Sequence, residues 1–163
     1  MHKFVKAFVV ILIVSIYSGC TVDDICSEET QTTPNLVISF TDNNIAELIK
    51  PLEHLQVENL EHNTIVWDAP ADSIRIPLST EGDRSTYAFT IIKNGEERTN
   101  IYQFDYQREE VYVNRACGFK MRFTNLQAED ISDSDTIPTW AKNITVLNPI
   151  IEDEKSTHIT ILH

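Results

Sequence analysis

Apolar and polar side chains alternate with a period of two along much of this chain, which is the pattern of half-buried β-strands. The clearest case is Leu36, Ile38 and Phe40, which share one face of a predicted strand. A similar alternation runs from Ile74 to Leu78, and the proline inside it is typical of an edge strand because proline has no N–H to donate. Beyond the N-terminus no long stretch has the period of an amphipathic helix, so the pattern predicts an all-β domain.

Two extended runs, Tyr87 to Lys93 and Thr99 to Tyr106, are joined through Asn94-Gly95. Asn and Gly accept the positive φ angles of a two-residue turn, so we expect a β-hairpin here. About eight short strands separated by turns predict a single antiparallel β-sandwich with immunoglobulin-like strand order; a small β-barrel is the alternative.

One further strand is predicted from its alternation of sulfur-containing, aromatic and cationic side chains. We expect one face to enter the core and the other to meet water; the first comprises Cys117, Phe119, Met121 and Phe123, and the second Lys120 and Arg122. A separate period-two stripe consists of Tyr102, Phe104 and Tyr106. We interpret the stripe as a core face, with a carbohydrate or protein contact surface as the alternative.

The first 19 residues have a different pattern. Lys3 and Lys6 precede an apolar run from Phe8 to Val14, and the small residues Ser18 and Gly19 follow, which is the layout of a signal peptide. The run is shorter than the roughly 18 to 20 apolar residues that a permanent membrane helix needs. We therefore expect residues 1–19 to be removed and not to remain as a transmembrane span.

The residues at the end of the signal peptide resemble the lipobox of bacterial lipoproteins. In that motif the cysteine corresponding to Cys20, after Ser18-Gly19, is acylated, for example with palmitate, and becomes the first mature residue. Tyr17 departs from the pattern, because an aliphatic residue is usual there. The alternative is a secreted protein whose Cys20 pairs with another thiol. Two or three acyl chains would anchor the domain to a membrane almost permanently.

Two aspartates follow the predicted lipidation site. Asp23-Asp24 resembles the signal that directs lipoproteins of the Bacteroidota to the outer face of the outer membrane. Paired aspartates are also common in polar tethers, so a periplasm-facing anchor is the alternative. We expect residues 20–34 to form the acylated N-terminus and tether, and residues 35–163 to form the β-sandwich.

Composition limits the classes of partner. Removal of residues 1–19 leaves 144 residues, 163 minus 19, enough for one ordinary domain. It also removes two lysines, so the formal charge changes from −12 to −14. This acidity argues against nucleic acid as a partner and against electrostatic adhesion to anionic lipid.

The chain has three cysteines. Acylation of Cys20 would leave Cys26 and Cys117, and an even pair in an exported chain is usually a disulfide. The bridge would close a loop of about 90 residues, which the chain-entropy model values at roughly 4 to 5 kcal/mol.

Several segments together resemble one protein family. They are Gly19-Cys20 followed by Asp-Asp-Ile-Cys at 23–26, Pro34-Asn35-Leu36-Val37-Ile38-Ser39-Phe40, and Arg115-Ala116-Cys117-Gly118-Phe119-Lys120. These segments look like the short lipoproteins of flavobacteria and their relatives that are grouped as a domain of unknown function, DUF6452-like. The resemblance implies a Bacteroidota source, an acylated Cys20 and a matched pair of Cys26 and Cys117. It implies no activity.

Candidate chemistry is sparse. The loop acids Glu129, Asp130, Asp133 and Asp135 are weak candidates for calcium, since the glycine that bends a calcium loop is missing. His54 and His62 have poor spacing for zinc, and no histidine has a nucleophile motif around it. We expect no cofactor and no catalytic residue. The sequence favours a non-enzymatic binding or structural module with an envelope protein as partner; the alternative is a small envelope hydrolase that uses surface carboxylates.

Overall fold

The computed structural model describes residues 26, 30–45 and 48–163. The predicted signal peptide, the lipidation site Cys20 and the acidic pair Asp23-Asp24 lie outside the described residues. Nine strands make up the regular structure of the described part, and no helix of it is long and apolar enough to cross a membrane. The strands are β1 Leu36–Thr41, β2 Leu52–Asn59, β3 Thr64–Ala71, β4 Ser73–Ile76, β5 Arg84–Lys93, β6 Glu96–Asn114, β7 Gly118–Asp130, β8 Asn143–Val146 and β9 Ile159–Leu162.

The strands form two sheets. The four-stranded sheet has the order β4-β1-β9-β8, and the five-stranded sheet has the order β3-β2-β5-β6-β7. The predicted all-β sandwich is therefore confirmed, and the described strands do not close into the small barrel that was the alternative. The predicted edge position of the strand beginning near Ile74 is also correct, since β4 ends the first sheet.

The strand order departs from the immunoglobulin-like order expected from the sequence. That order pairs the first strand with the second. Here β1 lies between β4 and β9, and it pairs with β9 in parallel, with Ile38 opposite Ile159. Alternation reveals which residues are extended but carries no information about which strand lies beside which, so the pairing of strands 121 residues apart was not accessible.

Both sheets contribute to a single apolar core. The stripe of Tyr102, Phe104 and Tyr106 is buried, which confirms its interpretation as a core face. Phe89 stacks edge-to-face on Tyr102 with ring centroids 5.1 Å apart, a geometry that aromatic pairs favour. Trp140 covers this core and donates its indole N–H to the carbonyl of Phe89 at 2.9 Å.

The tight hairpin predicted at Asn94-Gly95 joins β5 and β6. Asn94 has φ 56° and Gly95 has φ 80°, as a two-residue turn with both central residues in the left-handed region requires. The strands pair in register from Lys93 with Glu96 to Arg84 with Asp105.

One predicted boundary is wrong. The composition of Ala69-Pro70-Ala71-Asp72 predicts a turn that ends the preceding strand. Instead Ala69, Pro70 and Ala71 complete β3, and Pro70 is tolerated because β3 is the edge of its sheet. At the end of the predicted tether Pro34 is buried, and the hydroxyl of Thr33 accepts the backbone N–H of Met121 at 3.0 Å.

Residue packing divides the chain into two compact units. One consists of Thr32–Val111 and Lys120–His163, and contains both sheets except the end of β6 and the start of β7. The described residues of the other are Cys26, Thr30, Gln31 and Tyr112–Phe119. The latter stretch is the end of the long β6–β7 hairpin, and Tyr112–Phe119 is called the hairpin tip below.

Candidate interaction site at the hairpin tip

The hairpin tip is closed by a tight turn and a disulfide. Cys26 and Cys117 are bonded, with their Cα atoms 5.0 Å apart, so the predicted disulfide is present. Within the turn, the side-chain oxygen of Asn114 accepts the N–H of Cys117 at 2.8 Å. Gly118 follows with φ 70°, a backbone conformation that side chains with a Cβ adopt rarely. These constraints fix the course of the turn at the cysteine.

Two aromatic rings stand on the hairpin tip and are exposed. Tyr112 is 59% exposed and Phe119 is 63% exposed. Their rings meet edge-to-face with centroids 5.4 Å apart. They therefore form a small apolar surface of defined geometry, which is called the aromatic pair below.

The position of Phe119 corrects an expectation from the sequence. Cys117, Phe119, Met121 and Phe123 were predicted to share a core face, but among these Phe123 alone is fully buried and Cys117 lies in a turn. A period of two places side chains on one face of a strand without telling whether anything packs on that face. The placement of Lys120 and Arg122 on the opposite face of the strand therefore does not establish that Phe119 and Met121 are buried.

The hairpin tip has an unusual charge for this chain. The whole sequence carries 25 acidic residues, yet none occurs from Val111 to Ala128. Within the tip itself Arg115 is the one ionisable side chain besides Tyr112 and the disulfide-bonded Cys117, and it is exposed. An exposed aromatic pair and an exposed cation on one hairpin tip, in a stretch of sequence free of carboxylates, are typical of a contact surface.

An open polar cleft of about 470 Å³ lies in the unit that contains the sheets. Asp83, Glu109 and Glu110 line it and would be the carboxylates of a hydrolase. Arg108 Nε lies 2.6 Å from Asp83 Oδ1, and Arg122 hydrogen-bonds Glu109. The hydrogen bond to Glu109 raises the pKa of Arg122. Two of the three carboxylates thus bind arginine in this cleft.

Two carboxylates outside the cleft have lowered pKa values. Hydrogen bonding to Arg84 lowers the pKa of Asp105. Several interactions lower the pKa of Asp42 to about 2, and the hydrogen bond from the backbone N–H of Asn44 has the largest effect. Such carboxyls are held ionised, whereas a general acid needs a raised pKa.

The candidate calcium ligands accept hydrogen bonds from the chain itself. Asp130 accepts from the side-chain amide of Asn100 at 2.7 Å, and Asp133 accepts from the hydroxyl of Thr136 at 2.8 Å. Glu129 and Asp135 are exposed on either side of them. Within residues 26, 30–45 and 48–163, no three His, Cys, Asp or Glu side chains are grouped so as to hold a metal ion.

The histidines occupy separate structural positions. His54 Nε2 lies 3.0 Å from Asp68 Oδ1 on the surface. The backbone N–H of His62 donates to Asn59 at 3.0 Å in a turn. His158 is buried, and its Nδ1 accepts the backbone N–H of Val37 at 3.1 Å. Because burial disfavours the charged ring, the pKa of His158 is lowered.

Comparison with known proteins gives one match. No curated protein and no solved structure matches the chain. The sequence model of a family of unknown function, DUF6452, matches residues 54–163, a stretch that includes the hairpin tip and Cys117. Since this match covers more than half of the chain, the protein belongs to the DUF6452 family.

Proposed function

We propose that this protein is an exported, lipid-anchored protein of the cell envelope that acts as a non-enzymatic binding or structural module. In this proposal residues 1–19 direct export, Cys20 carries the acyl chains, and the folded domain is displayed at the membrane. The partner met by the displayed domain is an envelope protein.

The observation that carries the proposal is the disulfide between Cys26 and Cys117. Disulfides form and persist in oxidising compartments and are rare in the cytosol, so the bridge supports export. It also uses two of the three cysteines of the sequence with each other. Cys20 is then the cysteine left for acylation, directly after the small residues that end the apolar run.

The arginine contacts and the pKa shifts of surface carboxylates support a role without catalysis. In the polar cleft Asp83 and Glu109 are bound to arginines. Elsewhere on the surface the pKa values of Asp42 and Asp105 are lowered by hydrogen bonds. A glycoside hydrolase needs one carboxyl that is kept protonated to act as an acid, and these groups have the opposite electrostatic environment.

The location within the envelope rests on the resemblance of Asp23-Asp24 to the surface-export signal of Bacteroidota lipoproteins. We propose the outer membrane as the site, with the domain facing outward. Treating intact cells with a protease that cannot enter them tests the orientation. Degradation of the domain supports surface display, while protection in intact cells together with degradation in lysed cells supports a periplasmic orientation.

Substitution of the acylated cysteine tests the anchor. Cys20→Ala should move the protein from the membrane fraction to the soluble fraction and abolish labelling by an alkyne analogue of palmitate, because no acyl chain remains to partition into lipid. Cys117→Ala is the matched control: it also removes a cysteine, but the protein should stay labelled and membrane-bound. Membrane retention of unlabelled Cys20→Ala would refute lipid anchoring.

A further inference from the structure

The hairpin tip is tied to the chain close to the proposed anchor. Cys26 is six residues after Cys20 in the sequence, and its Cα lies 5.0 Å from that of Cys117. Six residues span at most about 20 Å even when fully extended. An acylated Cys20 would therefore keep the turn of the hairpin within a short distance of the lipid surface, whatever path the connecting residues take.

The side chains of the tip have the chemistry that suits a lipid–water interface. Tyr112 and Phe119 present an edge-to-face pair of exposed rings, and rings of this kind bury apolar area between lipid head groups. Arg115 is exposed in the same turn and can keep its guanidinium at the level of the head groups. No carboxylate occurs in the sequence from Val111 to Ala128.

We propose that the hairpin tip docks on the bilayer that holds the anchor, with Tyr112 and Phe119 inserted at the lipid–water interface. This inference rests on the proposed acylation of Cys20. The disulfide then acts as the link between two membrane contacts, the acyl chains and the aromatic pair. Two contacts on one short connection bind more firmly than either alone, since the second contact forms at a high effective concentration.

Charge is not the driving force in this proposal. Asp23 and Asp24 lie in the segment between the acyl site and the disulfide, and the chain as a whole has a formal charge of −12. Attraction to anionic lipid would be opposed by these carboxylates. Docking should therefore occur on a zwitterionic bilayer and should be insensitive to salt.

Fluorescence quenching by lipid tests the docking. The full-length lipidated protein carrying Phe119→Trp is reconstituted into vesicles of phosphatidylcholine brominated on its acyl chains. The matched control is Ile65→Trp, at a residue that is 57% exposed in β3. After subtraction of the emission of the native tryptophans, the tip indole should lose a larger fraction of its emission than the control indole, because an aromatic ring at the lipid–water interface lies close to the acyl chains that carry bromine.

The possible results separate the two proposals. If the protein does not float with vesicles, acylation fails, and both proposals are overturned. If the protein floats but the indole at 119 is quenched no more than the indole at 65, the anchor stands and the docking of the tip is refuted. Quenching at 119 that requires phosphatidylglycerol and disappears in high salt would also overturn insertion of the aromatic pair.

Discussion

Tyr102 carries a buried hydroxyl whose removal should stabilise the protein. The side chain is fully buried, and within the described part of the chain its hydroxyl has no hydrogen-bond partner. Burial also raises the pKa of this phenol, since the charged form would be desolvated. A buried polar group without a partner costs about 1 to 3 kcal/mol, so Tyr102→Phe, which keeps the ring and deletes the oxygen, should increase the free energy of unfolding by about 1 kcal/mol.

Two other buried tyrosines are matched controls. The hydroxyl of Tyr106 donates to the carbonyl of Ser79 at 3.0 Å and lies 2.8 Å from the hydroxyl of Ser85. The hydroxyl of Tyr87 donates to the carbonyl of Pro77. The same deletion at either position leaves a carbonyl without its donor, so Tyr106→Phe and Tyr87→Phe should lower the free energy of unfolding by about 0.5 to 1.5 kcal/mol.

Urea denaturation followed by tryptophan fluorescence measures all three variants in one background. For a protein of this size a gain of 1 kcal/mol corresponds to a rise in Tm of roughly 2 to 4 °C. The opposite sign at Tyr102 and at the two controls is the expected pattern. A loss of stability in Tyr102→Phe comparable to that of the controls would show that the hydroxyl is bonded in solution, and would refute the reasoning.

Two further predictions concern the disulfide and pH. The double variant Cys26→Ala, Cys117→Ala should lose about 2 to 5 kcal/mol of unfolding free energy in urea, because the closed loop of 91 residues restricts the unfolded chain; an unchanged midpoint would contradict this. Burial lowers the pKa of His158, so the folded protein keeps this ring neutral while the unfolded chain takes up a proton near pH 6.5. The free energy of unfolding should therefore fall as the pH drops below about 6.5. In His158→Asn the side-chain oxygen can still accept the N–H of Val37. Urea titrations at pH 7 and pH 5 should show a smaller loss of stability in this variant than in the unmodified protein.

The residue patterns were sufficient for the elements whose geometry is local. Asn94-Gly95 encodes a turn in two residues, and the hairpin was predicted where it occurs. The buried stripe of Tyr102, Phe104 and Tyr106 was likewise recognisable, because both neighbouring strands bring apolar side chains to the same face. Pro70 misled the prediction, since its effect depends on whether its strand lies at the edge of a sheet.

The candidate site was harder to predict because exposure is a property of the fold. Phe119 has the same place in the alternation as Phe123, yet Phe123 is fully buried and Phe119 is 63% exposed. The signal that could have identified the tip was the stretch free of acidic residues from Val111 to Ala128, which stands out in a chain with 25 acids.

The sequence by itself indicated that the domain is all-β and which faces of most strands are apolar. These properties follow from side-chain chemistry and from a period of two, which act over a few residues. Only the tertiary structure decided that β1 pairs in parallel with β9, and that Tyr112 and Phe119 stand together on an exposed tip. Both features depend on contacts between residues that are distant in the chain, and an alternating pattern of apolar and polar residues is compatible with many such pairings.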